Sequence, residues 1–265
     1  MKLAARIAGV GLVGPGLAGW NSSLAILAGR APYEPRATVL PSPDALPPTE
    51  RRRAGKSVRL ALGAGLEAVA ASGIPARDLV ATFASSSGDG ENLHAICEVL
   101  ASDDRMISPT RFHNSVHNAP SGYWGIATGA MQAADSLAAY DGSFGAGLLE
   151  ALCRVARDPA RPVLLVSYDA PYPEPLNACR PLPDSFACAL VIAADRPGAS
   201  GTPIAVALGD APPTQLGDGA SFEPLRRGIP AARSLPLLIQ LARASPGRVV
   251  IEYLGRLSIA VEVGA

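Results

Sequence analysis

Two hydrophobic patterns alternate along this chain. Short runs are apolar at nearly every position, and between them lie stretches where apolar residues recur every third or fourth place. The first pattern marks strands buried on both faces and the second marks amphipathic helices. Residues 6–13 form an apolar run closed by Gly14-Pro15-Gly16, which predicts a strand and a turn. Trp20, Leu24 and Leu27 follow at helical spacing. Val58, Leu62, Leu66 and Val69 make one stripe, predicting a helix over 57–71 that ends before Gly73. Further strands are predicted over 79–84, 136–140, 162–168, 187–193, 204–208, 249–254 and 257–263, with the last two joined around Gly255-Arg256. Further helices are predicted over 91–100, 109–128, 144–156 and 231–244, the second interrupted or restarted at Pro120. Residues 31–50 and 170–184 are proline-rich and read as loops.

Strands that alternate with helices, and are apolar throughout, imply one mixed or parallel sheet covered on both faces. Composition agrees: 48% of residues are hydrophobic and 17% charged, enough apolar material for a sizeable core. Lys plus Arg and Asp plus Glu both number 23, so binding of nucleic acid or an anionic membrane by bulk charge is not expected. A neutral surface also gains little colloidal repulsion, as suits a subunit covered by a partner. No apolar run reaches the roughly 18 residues of a membrane span. The start faintly mimics a signal peptide, but Gly9, Gly11, Gly14 and Gly16 break it.

Candidate chemistry is sparse. Cys97, Cys153, Cys179 and Cys188 form no CxxC pair, and no metal site is expected. Cys97, Cys153 and Cys188 sit in apolar patterns and read as small core residues of a reduced chain. Ser85-Ser86-Ser87-Gly88-Asp89-Gly90 lacks the lysine of a phosphate loop and reads as a strand-to-helix turn. Arg51, Arg52 and Arg53 read as a solvated helix start. His113 and His117 are four apart and would share a face of one helix, without an evident third metal ligand. Asp141-Gly142-Ser143-Phe144-Gly145 approaches the G-x-S-x-G elbow of hydrolases, but no histidine follows Ser143, and that serine reads as a helix N-cap.

A family resemblance sharpens this picture. Arg6-Ile7-Ala8-Gly9-Val10-Gly11-Leu12-Val13-Gly14-Pro15-Gly16, with Trp20 and Gly29, resembles the first strand and helix of the β-ketoacyl synthases, and residues 50–70 resemble their second segment. The most specific stretch is Ser108-Pro109-Thr110-Arg111-Phe112-His113-Asn114-Ser115-Val116-His117-Asn118-Ala119, then Gly122-Tyr123-Trp124. It is similar to the ketosynthase-like chain-length-factor subunits of aryl-polyene clusters. The resemblance covers residues 6–195. It implies an α/β, thiolase-like fold, a mixed sheet covered by helices, with a truncated C-terminal half. Residues 1–200 would be the N-terminal thiolase half, and 201–265 a reduced remnant packed on the same core.

In that family the nucleophilic cysteine stands on a strand-to-helix turn. The matching position is Asp141 or Tyr140, where there is no cysteine. The family's two C-terminal histidines also have no counterpart, because His94, His113 and His117 are the only histidines here. The resemblance therefore implies a non-catalytic subunit without catalytic residue, cofactor or metal. Its partner would be a catalytic ketosynthase in a heterodimer, or itself in a homodimer, and the complex would meet an acyl carrier protein in the cytoplasm. Phe112, His113, Asn114, Val116, His117, Asn118, Tyr123 and Trp124 are expected at the subunit interface or along the acyl tunnel. Two alternatives stand beside this reading. One is a divergent acyltransferase or hydrolase using Asp141, Ser143 or His117, and the other a stand-alone homodimeric acyl-binding protein.

Overall fold

A computed structural model describes residues 2–216 and 222–264. It contains strands β1 (Lys2–Val13), β2 (Val80–Ala84), β3 (Ala134–Leu137), β4 (Val163–Asp169), β5 (Phe186–Ala193), β6 (Thr202–Gly209), β7 (Gly247–Glu252) and β8 (Ser258–Val263). They join into one sheet in the order β3-β2-β4-β5-β1-β6-β8-β7. β2 runs parallel to β3 and to β4, and the remaining pairs are antiparallel.

The helices cover both faces. On one side lie α3 (Lys56–Ser72) and α6 (Ala119–Thr128); on the other lie α1 (Trp20–Leu27), α7 (Ser143–Arg157) and α10 (Leu235–Arg243). The shorter helices are α2 (Pro48–Arg51), α4 (Gly90–Ala101), α5 (Pro109–Asn114), α8 (Leu176–Cys179) and α9 (Glu223–Gly228). β5 shows why its run is apolar throughout. Phe186, Cys188, Leu190 and Ile192 pack toward α7 and α10, whereas Ala187, Ala189 and Val191 pack toward α3. The period-two alternation is present, but both faces are dry.

Gly9 and Gly11 have a structural reason. A Cβ at either would collide with the backbone of α3, at Ala68 and Ala64 respectively. β1 and α3 therefore meet backbone to backbone, which only glycine opposite alanine permits. Glu67 of α3 then clamps the join. Its carboxylate accepts from the N–H of Leu12 at 2.8 Å and of Trp20 at 2.6 Å, tying the end of β1 to the start of α1.

Several predicted elements shift. β1 begins earlier, at Lys2, and β3 ends at Leu137 rather than reaching residue 140. The helix expected from Glu50 onward is two helices, α2 and α3, separated at Arg52–Gly55. The 231–244 helix opens as a 3-10 turn, Pro230–Ser234, and α9 precedes it unanticipated. Gly73 does end α3, with φ 69 in the left-handed region. The cysteine reading needs correction: Cys97 and Cys153 are exposed, and only Cys188 is buried. On amphipathic helices the thiols fall on the solvent face, a choice that residue type alone does not make.

Candidate functional site

The site is the turn that leads from edge strand β3 into α7. β3 pairs in parallel with β2, matching Leu137 to Ala84. Three residues later Tyr140 adopts φ 52, and a 3-10 turn over Tyr140–Gly142 leads into α7. A non-glycine residue there carries strain of order 1–3 kcal/mol, held by its surroundings. Ser143 supplies part of that hold. Its hydroxyl accepts from the Ala139 N–H at 3.0 Å and donates to the Tyr140 carbonyl at 2.7 Å. Ser143 is the first residue of α7 and is fully buried, so it braces the turn and does not cap the helix as its sequence position suggested.

The β7–β8 hairpin closes over the start of α7. A Cβ on Gly142 would lie 2.9 Å from the Tyr253 carbonyl oxygen, and one on Gly145 3.0 Å from Ile259 Cδ1. These two glycines let the hairpin seat on the elbow. With Tyr140 at φ 52, the strained apex is Tyr140, and Asp141 follows it.

Charge fills this site. Asp141 accepts from Arg180 at 2.8 Å through Oδ1 and from Arg233 at 3.2 Å through Oδ2. The Arg180 guanidinium also lies 3.4 Å from the centre of the exposed Tyr140 ring. Arg233 reaches on to Glu252 at 3.6 Å, and Arg226 joins Glu252 at 2.9 Å to Glu223 at 2.6 Å. Hydrogen bonds from Arg226 hold the Glu223 carboxyl down to about 2. Arg226 is almost wholly buried, so removing one of its carboxylates would strand a charge.

A second buried node holds the network in place. Asp169, at the end of β4, is 1% exposed. It accepts from the Ser86 N–H at 2.8 Å, the Ser86 hydroxyl at 2.7 Å and the Ala231 N–H at 2.8 Å. Burial pushes its carboxyl up to about 6 despite those hydrogen bonds. Asp169 thereby ties the β2–α4 turn to the Pro230–Ser234 turn that carries Arg233 to the elbow. Sequence reasoning gave Asp169 no role; its long-range partners are the reason, since Ala231 is far away in the chain.

The elbow therefore offers no thiol, and its one aliphatic hydroxyl is already engaged. The Ser143 hydroxyl is used in both directions, and no histidine bonds to the elbow among the described residues. The structure separates the other residues singled out above. His113 lies in the last turn of α5 and is exposed, while His117 lies beyond the helix in the following turn, with Nε2 3.1 Å from the Ser85 carbonyl oxygen. The two do not share one helix, because the chain breaks between Asn114 and Ala119.

Tyr123 and Trp124, expected at the interface or along the tunnel, are not on the surface of the chain. Each is 2% exposed, and Trp124 lies against Gly65 and edge-on to Phe83, with ring centres 6.5 Å apart. Asn114 is buried with them: it accepts from the Tyr123 hydroxyl at 3.0 Å and donates to the Arg53 carbonyl at 2.9 Å. Aromatic rings at adjacent helical positions fit the groove against α3, and the phenol finds its polar partner inside. Phe112, Val116 and Asn118 remain exposed.

A strained strand–turn–helix elbow on a mixed sheet sandwiched between helices defines the class, a thiolase-like α/β protein whose elbow carries no cysteine. The sequence model of the β-ketoacyl synthase N-terminal domain matches residues 28–218, and the chain belongs to that family. Among solved structures, the chain is similar to one from the complex of the ketosynthase ApeO with its chain length factor ApeC of Xenorhabdus doucetiae. That match has 22% identity and a TM-score of 0.74, and covers 98% of this chain and 99% of that one. A chain of AntDE:AntF, a type II polyketide carrier protein in complex with its ketosynthase, matches at 12% identity and TM-score 0.77 over the full length of both. A β-ketoacyl synthase from Burkholderia phymatum matches at 15% identity and TM-score 0.55, over 92% of this chain and 71% of that one. No curated protein matches the sequence.

Proposed function

We propose that this protein is a non-catalytic, chain-length-factor-type subunit that pairs with a catalytic ketosynthase and shapes the tunnel in which a carrier-bound acyl chain grows. One observation carries the reading. The elbow is strained at Tyr140, its adjoining Asp141 is tied between two arginines, and it carries no cysteine. Ser143 is buried and doubly bonded, which argues against the acyltransferase or hydrolase alternative. On this reading residues 1–200 are the N-terminal half of a ketosynthase and 201–265 a remnant of the C-terminal half. Three strands of that remnant join the main sheet.

The surface supports a partner on the β3 side. β3 is an edge strand whose first residues are exposed, and an unpaired edge is a template for another chain. Large apolar side chains cluster around it in sequence: Phe112, Val116, Ile126, Met131 and Tyr140 are all exposed. A complex working on carrier-bound chains in an aryl-polyene pathway would sit in the cytoplasm. No helix among the described residues is long and apolar enough to cross a membrane.

The test is co-expression with a cysteine-bearing ketosynthase from the same organism, followed by affinity capture and a condensation assay with acyl- and malonyl-carrier substrates. The expected result is a stoichiometric complex whose activity is lost when the partner's cysteine is replaced and kept when Tyr140 is replaced by Phe. Condensation by this protein alone would overturn the reading. A self-associated protein that ignores the ketosynthase would favour the homodimeric acyl-binding alternative.

A further inference from the structure

The sheet ends on β3 at one side and on β7 at the other. In an antiparallel pair, successive residues turn their N–H and C=O groups alternately toward the neighbouring strand and away from it. The hydrogen bonds of Val250 show which residues of β7 turn outward. Its N–H donates to the Thr214 hydroxyl at 2.8 Å, and its carbonyl accepts from the Thr214 N–H at 2.9 Å. Val250 is therefore an outward residue, and by the period of two so are Arg248 and Glu252.

Thr214 thus stands in for a further strand at the middle of this edge. Its hydroxyl replaces the acceptor, and its N–H the donor, that a neighbouring strand would bring. The segment that carries it makes a poor edge of its own, because Pro212 and Pro213 have no N–H. Without Thr214 the edge would be self-complementary. Two β7 strands laid antiparallel about a two-fold axis at Val250 would exchange both hydrogen bonds between their Val250 residues. The same register sets the exposed Arg248 of each copy opposite Glu252 of the other, a cross-strand pair of opposite charge. An edge with such a register is a template for a second copy of the chain.

We propose that Thr214 is an edge guard: it occupies the outward groups of Val250 and so keeps two copies of this chain from joining β7 to β7. A charged residue on either side of Val250 does not protect the edge by itself, because in this register the two charges attract across the two-fold axis. The hydrogen bonds from Thr214 do protect it, because a second strand must displace them before it can pair. The inference uses neither the elbow nor β3, so it holds or fails apart from the function proposed above.

Three substitutions test it. Thr214→Pro removes both hydrogen bonds, Thr214→Val removes the acceptor alone, and Thr214→Ser keeps both. Light scattering of the purified full-length chain at rising concentration should give T214P at least twice the parent's mass, and T214S the parent's mass. The double variant T214P/R248P carries a proline at an outward position, where it cannot donate to an added strand, and should return to the parent's mass. That return separates edge pairing from the stickiness of a loosened chain. Hydrogen exchange followed by NMR at high dilution should show the Val250 amide of T214V exchanging at least tenfold faster than the parent's, a difference of about 1.4 kcal/mol or more. If T214P does not fold, T214V and T214V/R248P are carried through the same mass measurements. The assignment is overturned if the folded variant keeps the parent's mass, if R248P leaves the larger species intact, or if the Val250 amide of T214V exchanges as the parent's does.

Discussion

Two tyrosines in neighbouring segments have opposite fates. Tyr123, in α6, belongs to a cluster of aromatic and polar residues whose composition suggests a partner surface, yet it is 2% exposed. Tyr140, in an inconspicuous Ala-Ala-Tyr-Asp stretch, is 63% exposed at the apex of a strained turn. The difference lies in what each backbone packs against. α6 lies on α3, where Gly65 leaves room for Trp124 and Asn114 satisfies the phenol. The elbow lies at the edge of the sheet, where Ser143 and the hairpin fix the backbone and leave the ring outside under Arg180. An aromatic residue marks an interface only where its own chain leaves it uncovered.

The strongest way to break this contrast is Trp124→Asp. Loss of a buried indole removes about 3–5 kcal/mol, and a charge placed there adds to the damage. Urea unfolding should show a chain that is largely unfolded or insoluble; a midpoint near the parent's would return Trp124 to the surface.

Asp169→Asn probes the brace beneath the elbow. The carboxyl titrates near 6 when folded, against about 3.9 when unfolded. The native state therefore keeps its proton to higher pH, and this contribution to stability is full below about pH 4 and lost as pH rises through 6. Two units correspond to about 3 kcal/mol. Denaturation midpoints measured from pH 4 to pH 7 should show this decline in the parent and a flatter profile in the variant; parallel profiles would assign the slope elsewhere.

Tyr123→Phe should cost about 1 kcal/mol by orphaning the Asn114 oxygen, readable in the same unfolding experiment. Asp141→Asn should change stability by less than that, because the carboxylate is partly exposed and screened. Limited proteolysis should nevertheless cut the 170–182 loop faster once Arg180 loses its ionic partner, and an unchanged rate would show that stacking on Tyr140 suffices. The smallest effect on stability is expected for Val116→Asp, within about 0.5 kcal/mol. Capture of the ketosynthase by that variant should fail, and undiminished capture would move the interface away from the turn between α5 and α6.

Much of the sheet was legible in advance because buried strands flanked by glycine or proline leave a strong local pattern. β4, β5 and the β7–β8 hairpin fall within a residue or two of expectation. The missing thiol at the elbow was also legible, since the absence of a residue type needs no coordinates. α9 and the break between α2 and α3 left a weaker signal, because short helices with proline at their start show little periodicity.

The chain's residues alone determined its class of fold, its neutral charge, the absence of cysteine between Cys97 and Cys153 and the absence of histidine after His117. Those properties depend on residue type and short-range order. Only the tertiary structure decided that Tyr140 is the strained apex, that Arg180 and Arg233 converge on Asp141, and that Tyr123 and Trp124 turn inward. Arg233 lies 92 residues from Asp141 in the chain. Their meeting depends on how β4, the Pro230–Ser234 turn and the closing hairpin pack together, and no local pattern along the sequence encodes such a long-range contact.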